Sequence, residues 1–178
     1  MKNQIYFIAI IPPENISDEI NKLRKQLLPD FNIHSEHKKF PHITLQHTFR
    51  RSPEIEPLLT SYLNELAQTL KPFNVTINNC NHFDSLTLYI AVNNNNPLQN
   101  LYKQVKNILV ERFNFPSNHI SNNFTPHITL EKKLTKELFT KGWNAIEYLQ
   151  YKATFTVTSF SLMKHNGIKW EPLHHFKF

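Results

Sequence analysis

A chain of 178 residues, 40% hydrophobic and 12% aromatic, has the material for one compact domain or two small lobes sharing a core, and its 19% charged content is too moderate for wholesale disorder. A formal net charge of +6 favours anionic partners such as phosphates or nucleic acid. The single cysteine, Cys80, excludes an internal disulfide and a thiolate zinc site, the two glycines exclude a glycine-rich phosphate loop, and no apolar run approaches the roughly 20 residues of a membrane span.

The first apolar run, residues 5–11, stops at Pro12-Pro13 and reads as a buried strand. It is short for a signal peptide and lacks a small-residue cleavage site, which fits a cytoplasmic protein. Residues 15–28 read as a helix, with Ile16, Ile20, Leu23 and Leu27 at helical spacing. A polar loop over 31–40 carries His34, His37, Lys38 and Lys39, and a strand follows over 41–49. Residues 53–70 form a second helix with Leu58, Leu59, Tyr62, Leu63, Leu66 and Leu70 on one side, and strands over 73–83 and 86–92 flank an Asp84-Ser85 turn. Pro97 opens a helix running to about residue 113, since proline is tolerated in a first helical turn. A second polar loop, 115–124, leads to a strand over 126–132 and a fourth helix over 134–149. Residues 151–163 and 168–178 form a hairpin around Asn166-Gly167, a strong turn signal.

This order repeats. Phe7-Ile8-Ala9-Ile10 matches Tyr89-Ile90-Ala91-Val92, and each string is followed by a helix, a polar loop, a strand beginning Pro-His-Ile-Thr-Leu and another helix. The expected architecture is α+β: one bilobal domain over 1–178 built from duplicated β-α-β units, about 5–80 and 86–163. Antiparallel-rich sheets should form a central cleft, with helices outside and a pseudo-twofold axis where the two histidines meet.

The repeated strands carry the chemistry. Residues i and i+2 of a strand share a face, so His42 with Thr44, and His127 with Thr129, each present an imidazole beside a hydroxyl. One such pair is usually structural; two in matching positions, 85 residues apart, point to shared work. Two histidines can move two protons at one phosphate, one neutral as base and one charged as acid, because their ordinary pKa is about 6.5. The threonines can donate to non-bridging oxygens. His47 has the opposite parity from His42 and is expected to point away from the cleft. His34, His37, His119, His165, His174 and His175 are expected at the surface. His174 and His175, adjacent in a strand, face opposite sides and do not suggest a metal site.

Paired His-x-Thr motifs in a basic chain of this length resemble the two-histidine (2H) phosphoesterase superfamily, within it the 2′-5′ RNA ligase and RNA 2′,3′-cyclic phosphodiesterase branch. The resemblance spans roughly residues 5–178. It implies a bilobal α+β fold with an open cleft, no catalytic metal and no cofactor. The implied catalytic set is His42, Thr44, His127 and Thr129, with His42 as acid and His127 as base. Phe7 and Tyr89 match aromatic positions near the family's cleft, and Lys132 matches a basic position beyond the second motif; all three are implied substrate contacts. The implied activity is hydrolysis of a 2′,3′-cyclic phosphate on an RNA end or nucleotide by a monomer that does not engage membranes. Alternatives are a non-catalytic RNA-binding module and 2′-5′ joining of RNA. The chain departs from the family after the first motif, where Gln46-His47-Thr48-Phe49-Arg50 replaces a glycine-containing stretch.

Overall fold

The computed structural model describes residues 3–27, 40–84, 86–116 and 124–178. The loop residues His34, His37, Lys38, Lys39 and His119, with Ser85, lie outside the described residues. In chain order the elements are β1 (Gln4–Ile10), α1 (Glu14–Leu27), β2 (Ile43–Arg51), α2 (Glu56–Thr69), β3 (Phe73–Phe83), β4 (Thr87–Val92), α3 (Asn96–Phe113), β5 (His127–Lys132), α4 (Lys136–Ile146), β6 (Lys152–Val157), β7 (Ser159–His165) and β8 (Trp170–Lys177).

Local chemistry sets the helix ends. Asn95 Oδ1 accepts the Leu98 N–H at 2.9 Å, with Pro97 in the first turn of α3. Asn114 closes that helix in the left-handed region, φ 51°. Thr135 caps α4 the same way, accepting from the Leu138 N–H. The helix expected from residue 53 begins as a 3₁₀ turn, Pro53–Ile55, before α2 proper.

All eight strands join one sheet in the order β6-β3-β4-β5-β2-β1-β7-β8, every neighbouring pair antiparallel. The strand expected over 151–163 is two. It breaks at Thr158, so that β6 closes one edge against β3 while β7 returns to pair with β1. The β7–β8 hairpin turns at Gly167, whose φ of +100° only glycine adopts without strain.

The four α-helices among the described residues pack on one face of this sheet. Ile16 and Ile20 of α1, Leu59 and Leu63 of α2, Leu101 and Val105 of α3, and Ile146 of α4 share one core with Ile8, Ile10, Ile43, Ile77, Ile90 and Ile128 from the strands. Glu56 ties α2 to two strands, accepting from the Tyr6 hydroxyl at 2.6 Å and from Lys164 at 2.7 Å. The opposite face carries a smaller apolar group, Phe7, Ala9 and Met163. An antiparallel sheet can leave one face uncovered, and here that is the face with both histidines. No helix among the described residues is long and apolar enough to cross a membrane.

Candidate active site

The two motif strands are neighbours at the centre of the sheet. β2 and β5 meet through a single bridge, Ile43 opposite Ile128. Both isoleucines are 0% exposed and point into the helix-side core. One residue to either side, His42 lies beside Thr129 and Thr44 beside His127, all four half-buried. Pleating turns these four side chains to the open face together. The histidines are diagonal neighbours, roughly 7–8 Å apart at the backbone by general sheet geometry.

Each imidazole is locked alike. His42 Nδ1 lies 2.8 Å from the carbonyl oxygen of Phe40, and His127 Nδ1 lies 2.8 Å from that of Thr125. A carbonyl only accepts, so each Nδ1 carries the proton and each Nε2 faces the groove. Pro41 and Pro126 support this geometry, because the residue before a proline is held in extended backbone, which brings the carbonyl two residues back toward the ring.

The histidines are not electrostatically equal. Burial pulls His42 down to about 4 against the Phe40 carbonyl, helped by the positive charges of Arg24, Lys132 and His127. His127 is lowered too, by burial first and then by His47, against the Thr125 carbonyl. Arg24 was not foreseen as a site residue. It is 6% exposed on α1, donates to the Thr129 carbonyl and, at 3.0 Å, to Asn21 Oδ1. Its bond to the Thr129 carbonyl ties α1 to β5 next to the one bridge between β2 and β5. Burial lowers it to about 10 in spite of the attraction of Glu131. The available signal was a cation continuing the Ile16–Ile20 stripe at i+4.

Aromatic rings wall the histidines. Phe7 and Phe40 stand 5.1 and 5.3 Å from His42, and Tyr89 and Phe83 stand 5.2 and 4.8 Å from His127, centroid to centroid. Phe7 and Tyr89, expected as substrate contacts, are each 5% exposed. They brace the rings more than they offer a surface; Phe40, Phe83 and Trp170, which meets Phe7 edge-on at 4.6 Å, are half-buried and reach further toward solvent.

Matching bulges follow both motifs. On β5, Tyr89 pairs with Thr129 but Leu88 pairs with Glu131, so Leu130 and Glu131 together oppose one residue. On β2, Ala9 pairs with Thr44 but Ile8 pairs with Gln46, so Leu45 and Gln46 do the same. Gln46 and Glu131, 6% and 8% exposed, are thereby turned inward. The next residue on each strand, Lys132 and His47, returns to the open face, His47 against the parity expected of it. A second shift in β2, with Tyr6 opposite Phe49, keeps His47 and Thr48 both beside Phe7. The side His47 takes is therefore the reverse of simple alternation. Consistently, burial and then Lys132 lower His47, Lys132 is also among the charges that lower His42, and His47 adds to the burial that lowers His127.

Other histidines among the described residues make their contacts elsewhere. His82 Nδ1 donates to the Asp84 carbonyl at 2.7 Å and packs on Phe139 and Trp143; His175 bonds Ser161 at 2.8 Å; His165 lies edge-on to Trp170. No group of three or more His, Cys, Asp or Glu among the described residues is arranged to hold a metal ion.

Comparison with known proteins bears on the family and the fold. A protein of Oceanobacillus iheyensis named as a candidate phosphoesterase is 28% identical over 154 residues, 81% of this chain and 84% of that one. A similarly named protein of Geobacillus kaustophilus is 25% identical, covering 89% and 86% of the two chains. Among solved structures, Escherichia coli LigT complexed with 3′-AMP superposes with a TM-score of 0.75 at 20% identity over 99% of both chains, and TT0787 of Thermus thermophilus with 0.71 at 18% over 97% of both. The family description "2′-5′ RNA ligase superfamily" matches residues 12–169, and with that span covering both motifs and the strands between them, the chain belongs to this superfamily of phosphoesterases.

Proposed function

We propose that this phosphoesterase opens 2′,3′-cyclic phosphates at RNA ends or on nucleotides by two-histidine acid–base catalysis without a metal. The observation that carries the reading is the Ile43–Ile128 bridge with the two Nδ1 locks, which present two Nε2 atoms and two threonine hydroxyls to one groove. In the free protein His42 is the harder of the two to protonate. We therefore assign it as the base and His127 as the acid, the reverse of the roles implied by family resemblance. His42 Nε2 takes a proton from water as the oxygen attacks phosphorus. The opposite P–O bond to the ribose breaks, and His127 gives its Nε2 proton to the departing oxygen. Thr44 and Thr129 hydroxyls donate to the non-bridging oxygens as charge builds there. The LigT relative was solved with 3′-AMP, a nucleotide bearing a phosphate of the kind such opening leaves. The same ring opening with an RNA 5′-hydroxyl in place of water, the ribose 3′-oxygen again leaving with a proton, would join two RNA ends through a 2′-5′ linkage, which is how the family's ligase name fits the same site.

The test is turnover of nucleoside and oligonucleotide 2′,3′-cyclic phosphates in EDTA. The intact protein should hydrolyse at least one. His42→Ala and His127→Ala should each lose roughly 10²–10⁴-fold in kcat. Full activity in His127→Ala, or none in the intact protein on any such substrate, overturns the reading. A 2′-5′ joined product would identify transfer to an RNA hydroxyl in place of water, and binding unchanged by both substitutions without turnover would identify an RNA-binding module.

A further inference from the structure

We propose that His47 is a substrate-contacting residue that receives a second phosphate, next to the one between His42 and His127, so that the preferred substrate is an RNA end or nucleotide carrying a phosphate beyond the cyclic one. This deepens the cyclic phosphodiesterase reading and rests on it. Three observations support it. First, two successive register shifts in β2 set His47 on the open face beside Phe7, whereas simple alternation would bury it. Second, its ring is exposed and makes no hydrogen bond among the described residues; nor does the ammonium of Lys132, which occupies the same position after the second motif. An exposed donor on the floor of a groove is available to a ligand. Third, among the described residues the charged groups acting on His47, or acted on by it, are Lys132 and His127, both cationic when protonated. Donors with cations around them suit an anion better than a base or a neutral ribose. A neutral imidazole still donates one N–H, so the contact does not require His47 to be charged.

The matching position on β5 is a lysine, so each motif is followed, five residues after its histidine, by a donor on the open face.

The experiment compares kcat/KM for three substrates: a nucleoside 2′,3′-cyclic phosphate, the same compound with a 5′-phosphate, and a dinucleotide with a 2′,3′-cyclic end. The intact protein should favour one or both of the latter by roughly tenfold. The arm that benefits distinguishes a free nucleotide's monoester from an RNA phosphodiester. In His47→Ala that ratio should fall to near one; in His47→Gln, whose amide keeps a donor, part of it should remain. A ratio of one in the intact protein, or one unchanged in His47→Ala, overturns the inference. If the intact protein opens none of the three, the cyclic phosphodiesterase reading fails separately. Calorimetry then decides for His47: tighter binding of a nucleoside 3′,5′-bisphosphate than of the 3′-monophosphate, lost in His47→Ala, supports it, and equal binding overturns it.

Discussion

A carbonyl oxygen two residues upstream decides what each histidine can do. With Nδ1 protonated against Phe40 or Thr125, the neutral ring offers a bare Nε2, and the charged ring offers an Nε2 proton. Catalysis as proposed needs His42 neutral and His127 charged. His42 is neutral above about 4, and His127 keeps its proton only below a value itself depressed from 6.5. The kcat/KM profile should therefore be a bell with its acid limb near 4 and its alkaline limb below 6.5, so activity falls as pH rises through neutrality. A bound phosphate anion stabilises the imidazolium, and the kcat profile should lie at higher pH. A kcat/KM that climbs from pH 6 to 8 would contradict the assignment. Arg24 supplies a further control, because its buried charge opposes protonation of His42. Arg24→Met should move the acid limb upward. It should also cost on the order of 3 kcal/mol of stability, since Glu131 stays buried without this cation and the Thr129 carbonyl loses its donor. Thermal unfolding and the pH profile read the two effects separately.

Among the elements, the strands were legible wherever alternation held and not where it slipped. The order of helices and strands, the Asn166-Gly167 hairpin and the His-x-Thr faces follow from periodicity and turn chemistry read one segment at a time. The side taken by His47 does not, because a bulge depends on the partner strand: only the register of Ile8 against Gln46 shows that Leu45 and Gln46 count as one step. A polar residue, Gln or Glu, at the same place after each motif was the trace left in the sequence. The division of 151–163 was hidden for a related reason, since Lys152–Val157 and Ser159–His165 alternate alike while pairing with strands on opposite sides of the sheet. Gly167 gives this scale its prediction. Its φ of +100° has open space around it, so a side chain there meets backbone strain rather than a clash. Gly167→Val should cost about 1–3 kcal/mol, lowering Tm by several degrees for a chain of this size. Gly167→Asn should cost less, because asparagine tolerates positive φ better than a β-branched residue. Equal Tm values for the two variants would mean that the turn relaxes to another geometry.

The whole molecule hangs on a narrow seam. β5, β4, β3 and β6 lie to one side of it, and β2, β1, β7 and β8 to the other, so the element types mirror each other across the Ile43–Ile128 bridge. The mirror is inexact. Ile128 pairs with Ile90, but Ile43 pairs with Ile10, two residues beyond Ile8, its counterpart in the repeated string. Each half contributes one histidine and one threonine, and catalysis as proposed needs their spacing held to a fraction of an ångström. The seam must therefore do more than bury two side chains. Ile43→Ala removes a fully buried side chain from it; Ile77→Ala removes one of the same size and burial from β3, in the same core but away from the bridge. Both should lose about 2–5 kcal/mol of stability by the same cavity mechanism. Assayed well below the Tm of each variant, they should part company: Ile43→Ala should lose kcat as the two His-Thr pairs shift relative to each other, and Ile77→Ala should not. Equal kcat in the two would mean that the helix-side core, rather than the bridge, sets the distance between the imidazoles.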